Sequence, residues 1–135
     1  MNITKKPSLI AICAAVLIFN FSSCKYEDGP SISLRTKKGR LTGEWEVKYI
    51  DNQKVGGSGE SLILEFEKDG DVTWTYSYSG STSSTYKGEW EWEDGKEKIE
   101  LTVDSYKTEW EITRLTNKEF EFEDEDNDKW ELEKI

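Results

Sequence analysis

Three stretches of this chain alternate charged and apolar residues one by one: Glu44-Trp45-Glu46-Val47-Lys48-Tyr49, Glu89-Trp90-Glu91-Trp92-Glu93 and Glu119-Phe120-Glu121-Phe122-Glu123. Successive side chains of a β-strand point to opposite faces, so this pattern builds a sheet with one apolar and one charged face. The period stays at two, not the 3.6 of a helix, from Gly43 to the end of the chain. It predicts strands at 43–50, 61–68, 72–78, 85–92, 97–103, 106–114, 118–124 and 128–134. The breaks between them carry turn residues, among them Asp69-Gly70, Asp94-Gly95, Asn117 and Asn127.

Most of the connections are short enough for hairpins. Loops at 69–71, 93–96, 104–105, 115–117 and 125–127 place Phe66 opposite Trp74, Trp90 opposite Ile99, and Tyr86 opposite Val103. They also place Val103 opposite Tyr106, Ile99 opposite Trp110, Ile112 opposite Phe120, and Phe122 opposite Trp130. All these pairs share one face, which a slip of one residue would turn outward. The strands therefore form a meander, and closing it into a barrel removes the exposed edges. A two-sheet sandwich would need longer crossovers, and only 51–60 and 79–84 are long. The expected fold class is all-β: an eight-stranded antiparallel up-and-down barrel after a short helical turn within 32–42.

The chain opens differently. Lys5 and Lys6 precede an uncharged apolar run at 9–19, which ends in Phe21-Ser22-Ser23-Cys24. Spanning a bilayer takes about 20 apolar residues; this run has the length of a signal-peptide core. Phe21-Ser22-Ser23-Cys24 resembles the lipobox of bacterial lipoproteins, which implies that Cys24 carries lipid and becomes the first mature residue. The expected organisation is a signal peptide at 1–23, a lipidated tether at 24–31 and a barrel domain at 32–135. Glu27-Asp28 resembles the acidic export signal of some Gram-negative surface lipoproteins; a plain solvated linker is the other reading. The implied location is the outer membrane, lipid-anchored, on its periplasmic or cell-surface face. Cys13 leaves with the signal peptide, so the mature domain has no disulfide and must be held by packing.

Charge and composition exclude several functions. The chain carries a net charge of −10, and loss of Lys5 and Lys6 with the leader makes this −12. Such a surface repels nucleic-acid phosphates. There is no histidine, and no free cysteine is expected in the mature domain. Ser-His and Cys-His catalysis and ordinary zinc sites are thus removed. The glutamates have outward parity beside inward aromatics, so they are expected to be solvated. No catalytic residue, metal or cofactor is expected. Asp124-Glu125-Asp126-Asn127-Asp128 offers oxygen ligands suited to calcium. It lacks the glycine and the terminal glutamate spacing of an EF-hand loop, and reads as an acidic hairpin tip.

The aromatics point to a ligand mouth. Hairpin ends alternate, so loops 51–60, 79–84, 104–105 and 125–127 share one end of the barrel, with the glycine-rich 51–60 segment as a flexible lid. Parity places Tyr49, Tyr76, Tyr78, Tyr86 and Tyr106 inward near that end. Together with Phe122 and Trp130 they are the candidate ligand-binding residues. Trp45, Phe66, Trp90, Trp92 and Ile112 form a dry plug in the other half. Tyrosines that merely fill the barrel are the structural alternative.

Gly43-Glu44-Trp45 on the first strand looks like the lipocalin signature. In lipocalins the tryptophan lies at the closed end, under a basic residue from a late strand. Arg114 matches that role, and an Arg over an indole is a cation–π contact. Segment 32–135 as a whole resembles the lipocalin-like lipoproteins of Gram-negative bacteria. It shares the acylated cysteine, acidic tether, Gly-x-Trp entry and final Trp130-Glu131-Leu132-Glu133-Lys134 strand. The resemblance implies a non-enzymatic, membrane-anchored barrel that binds a small amphipathic or apolar ligand. The alternative is a filled-core barrel serving as a protein-interaction or inhibitor module at the cell surface. A void of roughly 300 Å³ or more behind the tyrosines would favour the ligand.

Overall fold

The computed structural model describes residues 35–135. The segments expected as signal peptide and tether, with Cys24, and residues 32–34 lie outside the described residues. Helix α1 (Lys37–Leu41) is followed by β1 (Gly43–Ile50), β2 (Gln53–Lys54), β3 (Glu60–Phe66), β4 (Asp71–Tyr78) and β5 (Ser81–Glu93). After a 3₁₀ turn at Asp94–Lys96 come β6 (Lys98–Val103), β7 (Tyr106–Leu115), β8 (Glu119–Glu123) and β9 (Lys129–Lys134). Consecutive strands pair antiparallel from β3 to β9, and β1 bridges β3 and β9. The sheet is therefore closed: an eight-stranded meander barrel, with the two-residue β2 paired to β1 as an extra flap.

The registers follow the expected parity, and several are displaced by two residues. Ile99 faces Trp110, Val103 faces Tyr106 and Phe122 faces Trp130. Phe66, however, faces Val72, and Trp74 faces Leu64. Asp71 belongs to the strand, and the turn is Glu67–Gly70, closed by the Glu67 N–H donating to the Asp71 carbonyl at 2.8 Å. Ile99 faces Trp92, because the 3₁₀ turn replaces the simpler loop expected at 93–96. Tyr86 therefore lies beyond the β5–β6 pairing and does not face Val103; on its other side it pairs with Trp74 of β4. Ile112 faces Phe122 across a bulge at 113–114. Shifts of two preserve which face is apolar, so the core survives each of them.

Two segments expected as long loops are built as hairpins. Ser79 and Gly80 both take positive φ (51° and 79°), the two-residue turn that matches strand twist, and β5 starts immediately after it at Ser81. Asp51 and Asn52 do the same (49° and 62°) and fold β2 back on β1. Val55 then packs against the core, so the first half of the expected lid is pinned.

The closed end explains the Gly-x-Trp entry. Trp45 is fully buried; its indole N–H donates to the Leu41 carbonyl at 2.6 Å, tying α1 across the barrel floor. Thr36 caps that helix by accepting from the Gly39 N–H at 3.0 Å. Gly43 has φ 120°, and a Cβ there would lie 2.8 Å from Lys134 Cε. The positive φ is what calls for glycine at the start of the tryptophan strand, and the absence of a side chain lets Lys134 pass close by. Lys134 Nζ lies 4.7 Å above the Trp45 ring and donates to the carbonyls of Arg40 at 2.8 Å and Thr42 at 2.6 Å. Burial lowers its pKa, and Arg35 acts in the same direction.

The cation over the signature tryptophan is thus Lys134, and the expectation for Arg114 is corrected. The bulge after Ile112 turns Arg114 to the outer face, where it pairs with Glu119 at 2.9 Å and faces Glu121. A bulge adds one residue and so inverts the parity of the residues after it.

Candidate functional site at the barrel mouth

Above this plug the interior is filled by rings. Phe66, Phe120 and Phe122 are almost fully buried, and Phe120 touches Trp45, Phe66 and Phe122 at 5.1–6.0 Å. Toward the other end the rings become parallel. Trp110 stacks on Phe122 with centroids 4.0 Å apart and planes 7° from parallel. Trp74 lies 5.7 Å from Trp110 at 16°. Trp130 lies 5.6 Å from Phe122 at 13° and 6.3 Å from Trp110 at 18°. Strand register produces this row, since Ile99 pairs with Trp110 and Phe122 with Trp130 on one inner face.

The row borders a hollow of about 180 Å³ that opens at the mouth. Its apolar walls are Leu62, Leu64, Trp74, Trp110 and Trp130. Its rim is Tyr106, Thr108 and the acidic turn at 124–126. The Trp74 indole N–H is buried and has no acceptor among the described residues.

Asp124 organises the rim. One carboxylate oxygen accepts from the backbone N–H groups of Asp126 at 3.0 Å and Asp128 at 2.9 Å. The other accepts from the Trp130 indole at 2.8 Å, which fixes the wall of the hollow to its rim. Glu125 accepts from the Glu109 N–H at 3.1 Å and clamps the turn onto β7. The acidic tip is therefore part of the pocket. Its residue types and its place at the mouth end were legible in the sequence; that it borders a hollow was not. Among the described residues no group of three or more His, Cys, Asp or Glu side chains could hold a metal.

The structure separates the expected binding residues. Tyr106 and Trp130 line the hollow. Phe122 is fully buried behind Trp110, beyond reach of a ligand. Tyr49 is 40% exposed and lies outside, opposite Glu131, because β1 bulges between Val47 and Tyr49. Tyr78 and Tyr86 have inward parity but are exposed; β6 pairs with β5 only from Glu89 onward, so nothing covers their part of the sheet. Tyr76 is half-buried between Leu62 and Ser84. Its pKa is raised by burial and by a hydrogen bond to Glu60. The missed residues are Leu62, Leu64, Trp74 and Trp110. The sequence pattern places Trp74 and Trp110 on the inner face, but it does not show that their rings stack across the barrel.

A second acidic contact lies at this end. Asp128 has a raised pKa, first because it hydrogen-bonds Asp51 and then because of that neighbour's charge. Asp51 is fixed by accepting the Lys129 N–H at 2.9 Å. A carboxyl whose folded pKa exceeds its unfolded value stabilises the fold at low pH, and this is lost as pH rises through the folded pKa. Asp128→Asn keeps a donor for Asp51 at every pH. It is expected to raise the urea midpoint at neutral pH and to change it little in acid. An equal shift at both pH values would contradict the shared proton.

No family model matches the chain, and no curated protein matches it in sequence. Solved structures do match in shape. A lipocalin-like protein from Bacteroides uniformis superposes with a TM-score of 0.60 at 17% identity, covering 72% of this chain and 100% of that one. A protein from Bacteroides eggerthii gives 0.58 at 16%, covering 70% and 98%. A second Bacteroides uniformis protein, solved by NMR, gives 0.56 at 22%, covering 73% and 91%. The fold is that of a lipocalin-like barrel.

Proposed function

We propose that this protein is a non-enzymatic binding barrel whose mouth holds one ring-sized apolar group of a small amphipathic ligand. The observation that carries this reading is the hollow of about 180 Å³ walled by Trp74, Trp110 and Trp130. A cavity of about 150 Å³ accommodates a benzene ring, whereas drug-sized ligands occupy about 300 Å³ or more. The hollow falls short of that larger class, and the rings below it fill the barrel. A long acyl chain has no room, so the ligand's remaining part projects past Tyr106 and the acidic rim. The test is titration with benzyl alcohol, followed by tryptophan fluorescence and NMR shifts. Saturable binding is expected, and Leu62→Trp, which fills the hollow, should abolish it. Absence of any saturable response would favour the protein-interaction reading.

The barrel works, on this reading, at the outer membrane through a lipid on Cys24, on either its periplasmic or its cell-surface face. The support is the leader pattern and the cysteine that ends it. Stable anchoring takes more than one acyl chain. Expressed as the full chain in a Gram-negative host, Cys24→Ala is expected to leave the membrane fraction. A variant that still sediments with membranes would overturn the anchor.

A further inference from the structure

Resting on that reading of the pocket, we infer that the group it selects is cationic: a compact ring-bearing ammonium, not a neutral or carboxylate-bearing ring. The aromatic hollow is the site, and its rim chooses among occupants. The lining includes Asp124, Glu125 and Asp126 and neither lysine nor arginine. The hydrogen bonds to Asp124 come from two backbone N–H groups and an indole, and the one to Glu125 from a backbone N–H. These donors are uncharged, so they orient the carboxylates without neutralising them. Of the lysines near the acidic turn, Lys98 borders its outer side and pairs with Glu109, Lys107 pairs with Glu100, and Lys129 pairs with Glu121 and Glu131 on the outer face.

A ring that enters this hollow therefore carries its polar end to three carboxylates beside half-buried Trp74 and Trp130. An ammonium there gains from the carboxylates and from the negative faces of indole rings. A carboxylate would meet three like charges across a low-dielectric wall. The net charge of the chain, −10, has the same sign and raises the local concentration of cations.

Three probes of one shape decide between these occupants at neutral pH: benzylamine, benzyl alcohol and benzoate. Affinities are read from NMR titrations of the barrel resonances in the full mature chain. Benzylamine is expected to bind about three- to tenfold more tightly than benzyl alcohol, with benzoate weakest, and the preference should shrink at high salt. Glu125→Gln with Asp126→Asn leaves Asp124 and the indole faces in place, so it should lower the affinity for benzylamine more than that for benzyl alcohol and narrow the gap between them. Equal affinity of the two in the parent protein, or a preference that the double variant leaves undiminished, overturns the charge selection while the ring pocket stands. No binding by any of the three removes both.

Discussion

Trp45→Ala is expected to cost about 3–5 kcal/mol of folding stability, the range for deleting a large buried aromatic. The indole is fully buried and is held from three sides. It donates to Leu41, packs 5.5 Å from Phe120 and carries Lys134 on its face. Its loss would open a void at the barrel floor and release α1 as well. Urea unfolding measures this, and a loss below about 1 kcal/mol would place Trp45 outside a working core. Two further variants order the cations. Lys134→Met keeps the aliphatic stem beside Gly43 and loses both carbonyl contacts, so about 1–3 kcal/mol is expected. Arg114→Ala breaks half-exposed ion pairs to Glu119 and Glu121, which contribute at most about 1 kcal/mol. Equal losses for Lys134→Met and Arg114→Ala would contradict the assignment of Lys134 as the capping cation.

The barrel was legible because period-two patterning survives register errors of two residues. Phe66 and Trp74 are both inward whether or not they face each other, and the short turns left only a meander. What sequence could not reveal was parity inversion. Nothing in Lys48-Tyr49 or Thr113-Arg114 marks a bulge, yet each bulge moves a proposed functional residue to the outside. The mouth suffered for a second reason. Parity tells which way a side chain points but not whether a neighbouring strand reaches far enough to cover it. Tyr86 points inward and is 58% exposed, since β6 ends before it. Lys134 was visible within the final strand motif; its role needed the closure of β9 on β1, which places it beside Trp45.

The row of rings leads to the second large effect. Trp110 is 4% exposed and touches Trp74, Phe122 and Trp130. Trp110→Ala is expected to destabilise the barrel by about 3–5 kcal/mol, again through an unfilled volume. Tyr106, at the exposed tip of the β6–β7 hairpin, gives the contrast: Tyr106→Ala should stay within about 0.5 kcal/mol. The consequence for binding differs from that for stability. Trp110 forms the back wall of the hollow, so its removal enlarges the pocket and leaves the acidic rim in place. A two-ring probe such as naphthalenemethanol should then gain on benzyl alcohol, because the parent hollow holds one ring and the variant has room for a second. If Trp110→Ala loses stability as expected while the relative affinities of the two probes stay the same, the row supports the core and does not bound the pocket. If the two-ring probe already binds the parent more tightly, a hollow of about 180 Å³ is not what limits the ligand.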